Sequence, residues 1–239
     1  TLSLHDALPI YAAELAGFAA MVNAGDTAAN AMLDNDIVVN EGEVTTTSQK
    51  WMPIGQAMYD PGATRGFCIE YATCRAFSGT FDGKGYSVSG IYVNYANTGF
   101  SGLFGYVGEH GIVKNLTLKK SLILGVYGAG IVGANDGALY DLTSSENKDS
   151  TSGGGGSVAG AAGGVACLNR GVIANCVNVN SFVFSGGEEY YGIVGGISGI
   201  NSGGVITNCV NEGVVSVMGA GNGGGIVGGN SGSGMVSAC

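Results

Sequence analysis

The chain has 239 residues, enough for one substantial domain, and 46 of them are glycine, where average usage of roughly 7% would give about 17. With 45% hydrophobic residues, 11% charged residues and only 3 prolines, it is neither collagen-like, which needs a Gly-x-y period, nor disordered, which needs the opposite balance of charge and apolar content. A net charge of −9 argues against a nucleic-acid partner and a polybasic hold on anionic lipid, and runs such as 151–169 hold too much Gly, Ser and Asn for a membrane span.

The first ten residues, Thr1 to Ile10, resemble one reading frame of a sequencing-library adapter. They are expected to be foreign to the protein, and His5 carries no functional meaning. From Tyr11 to Asn23 the apolar residues Leu15, Phe18, Ala19 and Val22 follow i, i+3, i+4, i+7 spacing, which predicts an amphipathic helix within 11–26, stopped by Asn23-Ala24-Gly25-Asp26. A helix placed ahead of a β-rich chain has a natural role as a lid over the first exposed strand edges. Ala31 to Leu33 and Ile37 to Asn40 are then expected to open the first turn of the structure.

Further along, the chain repeats. Leu103, Ile131, Val165, Ile197 and Ile226 are apolar anchors in Gly-flanked segments, separated by 28, 34, 32 and 29 residues. Asn135, Asn169, Asn201 and Asn230 each follow an anchor by four residues. A third register runs through Asn115-Leu116, Asp141-Leu142, Asn175-Cys176, Asn208-Cys209 and Ala238-Cys239. Three registers moving together at about thirty residues predict a solenoid, and this length suits one turn of a parallel β-helix. Gly and Asn tolerate positive φ at its corners, and stacked Asn side chains can hydrogen-bond along the axis. A helical repeat would carry a cost of about 1 kcal/mol per glycine. The expected fold is therefore all-β: a right-handed parallel β-helix over 27–239, with the repeats from about 101 and a last coil that ends without a cap.

Chemistry-bearing residues are sparse. Gly128 to Gly133 and Gly223 to Gly228 match the GxGxxG fingerprint, but no helical pattern follows either, so no nucleotide or other cofactor is expected. Cys176, Cys209 and Cys239 occupy a register held earlier by Leu116 and Leu142, which marks them as small apolar core fillers rather than metal ligands; free thiols are expected, with a disulfide between stacked coils the competing reading, since stacking brings Cα atoms near the allowed range. Cys68 and Cys74 sit in a long insertion, where the spacing leaves a loop-closing disulfide and two free thiols both open. His110 is the only other histidine and HExxH is absent, so neither a Ser/His/Asp site beyond it nor a zinc peptidase is expected within the chain. The acids are scattered: Asp82 reads as a turn residue, Asp34 and Asp36 bracket a corner, and Asp141 belongs to the Asn register. Asn115-Leu116-Thr117 is a formal glycosylation sequon. The segment from Ser144 to Gly156 and the sequence Glu188-Glu189-Tyr190-Tyr191 break the repeat lengths and read as outward loops. Tyr190 and Tyr191 are the candidate ligand-binding residues, because tyrosine favours contact surfaces; a solvated excursion is the competing reading.

Two stretches carry a resemblance. Trp51-Met52-Pro53-Ile54-Gly55 with Phe77 to Ile91 is similar to the opening coils of bacterial surface β-helix proteins. Gly102-Leu103-Phe104-Gly105-Tyr106-Val107, with the later Gly-Ile-Val-Gly units, resembles the GLUG-motif repeats of the same proteins. Cys167 departs from that pattern, standing where Gly133, Gly199 and Gly228 stand, and Gln56 to Ala76 is a long insertion. The resemblance implies a secreted or wall-attached, adhesin-like bacterial protein, located outside the cell or on its surface. Its partners would be a host protein or glycan and the rest of its own polypeptide, with no insertion of this stretch into a membrane. On that basis the expected function is a non-catalytic module that spaces or displays binding loops. The alternative is an ancillary β-helix of a larger secreted metallopeptidase or carbohydrate-active enzyme.

Overall fold

A computed structural model of the chain describes residues 6–7, 11–56, 74–152, 160–186, 192–217 and 221–239. It is a parallel β-solenoid with one N-terminal helix. Phe104–Val107, Val132–Asn135, Ala166–Asn169, Ser198–Ser202 and Val227–Ser231 stack into a five-stranded parallel sheet. Each leads round a corner into a second, larger sheet, where Ile112–Lys119 pairs with Ala138–Ser145 and this in turn with 172–174 and 177–179. Coil lies on coil in direct register. The anchor carbonyls make this visible: those of Leu103, Ile131, Val165 and Ile197 accept the N–H of Ile54, Phe104, Val132 and Val165 at 2.9–3.0 Å.

The helix spans Ala12–Ala24 and buries the four residues expected, Leu15, Phe18, Ala19 and Val22. Phe18 meets the edge of Phe77 at 6.0 Å, and Phe81 meets Phe104 in the same edge-on way at 5.3 Å. The helix thus closes the apolar floor of the first coil, whose strands are Asn30–Met32 and Ile37–Val38. It does not seal the strand edge, because Asp6–Ala7 pairs in parallel with Asn30 and Ala31. At the other end Val214 and Met235 are 58% and 60% exposed.

Inside, the columns expected from the repeat are present. Leu116 and Leu142 pair directly and share one core cluster with Cys176 and Cys209. The anchors Leu103, Ile131, Val165 and Ile197 are fully buried in that cluster, and Ile226 is partly buried against it. Cys239 continues the Leu/Cys column, its Sγ accepting the Cys209 N–H at 3.3 Å. Beside the anchors runs a buried amide ladder. Asn135 Nδ2 donates to Asn169 Oδ1 at 2.8 Å, Asn169 to Asn201 at 2.8 Å, and Asn201 to Asn230 at 2.9 Å.

The other Asn register faces outward. Asn115, Asp141, Asn175 and Asn208 hold left-handed φ of 51–57°, and so does Ala238. They form the sharp corner before the Leu/Cys column. A second corner, at Lys120, Glu146 and Asn180, has the same geometry with φ of 52–55°.

Two sequence-based expectations need correction. The glycines of the repeat sit at or beside a corner, but not for a positive φ: none of Gly163, Gly164, Gly195, Gly196 or Gly224 has one. They are required by close approach at that corner. A Cβ at Gly163 or Gly195 would fall on the carbonyl oxygen of Ala166 or Ser198, and at Gly164 or Gly196 on the Asn178 or Asn211 amide. Second, 144–152 is not part of an outward loop. Ala138–Ser145 and Lys148–Ser152 are strands, and Ser144, Asn147 and Asp149 are buried.

Cys74 is disulfide-bonded, whereas Cys167, Cys176, Cys209 and Cys239 are free thiols; Cys68 lies outside the described residues. Protein isolated without added oxidant is therefore expected to show four alkylatable thiols after denaturation without reductant. Six would remove the disulfide at Cys74.

The buried ladder should matter more than the exposed corner. Asn169→Ala strands a donor on Asn135 and an acceptor on Asn201, and is expected to cost roughly 3 kcal/mol of unfolding free energy. Asn208→Gly keeps the left-handed corner and is expected to change stability by less than about 0.5 kcal/mol. Urea unfolding of both variants checks this; equal losses would show that the inner ladder has no special role.

Candidate functional surface

The site begins with where the chain leaves the coils. Lys148–Ser152 pairs with Phe182–Gly186, so that Ser152 stands opposite Gly186, and Ser185 stands opposite Val217 in the next coil. The returning strands Ala161–Gly163, Ile193–Gly195 and Asn222–Gly224 are likewise neighbours in register. The connections 153–159, 187–191 and 218–220 therefore depart and rejoin at one edge, in three successive coils. Under that edge lies a small apolar cluster of Ala162, Val183 and Val194, with Val215 and Val217 packed against it. A second cluster, built around Phe100, Tyr127, Cys167 and Leu168, supports it. Glu188, Glu189, Tyr190 and Tyr191 lie outside the described residues.

Sequence reasoning missed a polar patch in the core that leads to this edge. Asn147 Nδ2 donates to Ser144 Oγ at 2.9 Å and to the Leu118 carbonyl at 3.0 Å, while Asn147 Oδ1 accepts from the Ser121 N–H at 2.9 Å. In the next coil Ser181 Oγ accepts the Asn147 N–H, and Asn178 donates to Asn211 Oδ1 at 2.8 Å. This network spans the second corner. Asp149 follows it, in register with Ile123 on one side and Val183 on the other. It is fully buried, and neither carboxyl oxygen has a hydrogen-bond partner among the described residues. Burial pushes its pKa well above the ordinary carboxylate range, because charging an unpaired group in an apolar column is costly.

Four other acids, Asp36, Asp82, Asp136 and Asp141, are held by partners in neighbouring coils. Asp82 accepts from the Asn115 amide at 2.9 Å and faces Lys114 at 3.5 Å and Lys84 at 3.8 Å. Its partial burial works against ionisation, but the Asn115 amide, the Lys84 N–H and the two ammonium groups outweigh it and hold the carboxyl below its ordinary range. Asp36 is lowered too, first by the backbone N–H of Ser87 and then by its hydroxyl. Asp136 takes a two-pronged grip from Arg170, Nε to Oδ1 at 2.6 Å and Nη2 to Oδ2 at 2.9 Å, and accepts the Tyr106 hydroxyl at 2.6 Å. Asp141 accepts from Asn175 at 3.2 Å as a member of the corner register. Among the described residues no group of three or more His, Cys, Asp or Glu side chains is arranged to hold a metal ion. Both GxGxxG segments lie on strand–corner–strand units, at Leu122–Ala129 to Val132–Asn135 and at Asn222–Gly224 to Val227–Ser231. They supply no helix N-terminus for a pyrophosphate. No described helix is long and apolar enough to cross a membrane.

No model of a known protein family matches the chain. Two curated proteins are similar to part of it. Halomucin of Haloquadratum walsbyi is 34% identical over 76 residues, which is 31% of this chain and 1% of halomucin. A protein of Evansella cellulosilytica described as "Putative Gly-rich membrane protein" is 36% identical over 66 residues, 28% of this chain and 8% of that one. The chain thus matches only a small fraction of either relative. Among solved structures, that of a "putative immunoglobulin A1 protease" from Bacteroides ovatus aligns with a TM-score of 0.65 at 17% identity, over 96% of this chain and 63% of the other. That likeness is one of fold.

The orphaned carboxyl gives the surface a measurable pH signature. Above about pH 4 the unfolded chain releases the Asp149 proton, while the folded chain keeps it. Wild-type stability then falls with rising pH, at up to about 1.4 kcal/mol per pH unit from this group, until Asp149 ionises in the fold. Asp149→Val restores the apolar column and is expected to be the more stable protein at neutral pH, by a margin that widens from about pH 4 upward. Urea unfolding of both proteins across that range checks it; a margin independent of pH would show that Asp149 is charged in the fold.

Proposed function

We propose that this chain is a non-catalytic β-helix module of an adhesin-like bacterial surface protein, and that it holds recognition loops at fixed spacing outside the cell. The observation that carries this reading is the shared edge at Ser152, Gly186 and Val217, where three connections leave successive coils above a packed apolar base. Loops on a rigid scaffold are where recognition residues concentrate, since they can vary without disturbing the core. Tyr190 and Tyr191, in the middle connection, supply rigid amphipathic contact area. The disulfide at Cys74 supports an oxidising, extracytoplasmic setting, and a relative described as a Gly-rich membrane protein is in keeping with a place at the envelope.

The Bacteroides structure favours a second reading. It is described as a "putative immunoglobulin A1 protease" and exceeds this chain in length; on this reading the solenoid serves as an ancillary domain beside a secreted peptidase. The same reasoning extends to a carbohydrate-active enzyme. In either case the loop edge would position a substrate rather than anchor a cell.

Glycan and extracellular-matrix arrays probed with the full chain test the first reading. Replacing Glu188 to Tyr191 by a Gly/Ser segment of equal length is expected to lower the bound signal about tenfold or more. An unchanged signal retires the Tyr190–Tyr191 loop as a recognition site. Binding confined to immunoglobulin would favour the peptidase-associated reading.

A further inference from the structure

We infer that the facing strands Lys148–Ser152 and Ala161–Gly163 form a pH-operated latch on the loop edge: it is shut while Asp149 is protonated, and it opens with the rest of the stack intact as Asp149 gives up its proton. The inference rests on how these strands are packed and is independent of what the loops bind.

The loop edge is a thin, two-layered extension of the solenoid. One layer carries the column Ile123, Asp149, Val183 and Val215, matched in register from coil to coil. By the same register the opposite column is Gly128, Ala162, Val194 and Gly223. The layers meet face to face: Ala162, Val183 and Val194 form one buried cluster, and a Cβ on Gly223 would lie 2.9 Å from the Val217 side chain and 4.0 Å from that of Val215. In the coil after Asp149, valine therefore faces valine. In its own coil Asp149 has only Ala162 opposite, and the coil before supplies Gly128, with no side chain at all. The level that buries the carboxyl is thus poor in apolar contact across the layers. What holds it shut is the ladder, since Lys148–Ser152 pairs on both sides, with 122–124 and with Phe182–Gly186.

Nothing at this level balances a charge. Both Asp149 oxygens are buried without a hydrogen-bond partner. Of the strands packed against it, Leu122–Ala129 has one titratable group, Tyr127, whose ring lies 5.4 Å from that of Phe100 in the neighbouring cluster. Ala161–Gly163 and Val177–Gly186 have none. On its own strand Lys148 turns away to Glu43, Nζ to Oε1 at 3.3 Å, and the connection 153–159 contains no ionisable residue. Burial alone keeps the proton on Asp149.

An ionised carboxylate needs water, and parting the two thin layers is the shortest route to it. Above the ordinary aspartate pKa of about 3.9 the open form holds one proton fewer than the shut form, so opening is favoured up to about tenfold more for each further pH unit. Below that pH both forms keep the proton, and opening gains nothing. Asp149 is the only buried carboxyl among the described residues, which confines the demand for water to this level. The released proton passes to solvent.

Hydrogen exchange of the full chain from pH 5 to pH 8, resolved to single strands, corrected for intrinsic rates and repeated in low urea, tests the latch. Residues 149–152 and 161–163 are expected to be less protected than Val113–Leu118 and Leu139–Leu142 at every pH. Their protection should fall by up to about tenfold per pH unit and should not respond to low urea, whereas the core strands respond because they open only by global unfolding. Asp149→Asn, which cannot ionise, is expected to make protection of the latch strands independent of pH. Asp149→Val is a second non-ionising control should the asparagine variant fail to fold. Wild-type latch strands that share the core's protection and urea response overturn the proposal, since Asp149 would then ionise only when the whole stack unfolds. Protection that does not vary with pH in the wild type overturns it too, as does a fall that persists in the non-ionising variant.

Discussion

Register between coils is the constraint on which everything else depends, and the buried amide ladder is the interaction that enforces it. Asn135, Asn169 and Asn201 each donate to the next asparagine, ending at Asn230, whose own amide donates to the Gly234 carbonyl. Slipping one coil by a single residue would turn its ladder asparagine to the other face and leave donors and acceptors buried without partners. The apolar columns are more permissive. Leu116 and Leu142 give way to Cys176 and Cys209 with no break in the core, because volume there can be shared with neighbours. The ladder tolerates no such exchange. Aspartate has no donor to pass along, and glutamine is one methylene too long for the same spacing.

Outside the ladder, side chains tie neighbouring coils together without fixing their register so sharply. Arg170 grips Asp136 across one coil boundary, and Asp82 gathers Asn115 and Lys114 across another. These pairs are partly exposed, so each contributes modestly. These acids are committed to neighbours in the stack rather than to one another. Asp149 differs. It lies in an apolar column with no partner, close in sequence to where the chain departs at Ser152, and it lowers stability in the part of the coil that carries the loops.

Much of this was legible in the sequence, and the exceptions have physical reasons. The repeat length, the anchors, the Asn ladder and the helix over Leu15, Phe18, Ala19 and Val22 could all be read because periodic burial leaves periodic apolar or amide residues. The second corner was hidden, since Lys120, Glu146 and Asn180 share a left-handed φ but no residue type. Residues 144–152 looked like a loop because Ser, Glu, Asn, Lys and Asp usually are one; here Ser144 and Asn147 satisfy each other inside the core. The repeat glycines were visible, but their cause was not. A missing Cβ serves a positive φ and a close crossing equally well, and only coordinates separate the two. The loop edge was half legible: broken repeat lengths marked the connection at Glu188 to Tyr191, whereas its alignment with 153–159 and 218–220 depends on strand register.

That alignment limits how such a module could recognise anything. Connections in successive coils start about 4.8 Å apart, about the width of one sugar ring and far less than that of a folded epitope. Three adjacent loops therefore cannot serve as three independent sites, and the gain that comes from linking separate binding events is not available within this stretch. The proposed recognition surface is then a single composite one. On the proposed reading, a change in one loop would alter the specificity of the whole surface, and multivalency would have to come from copies of the module presented together.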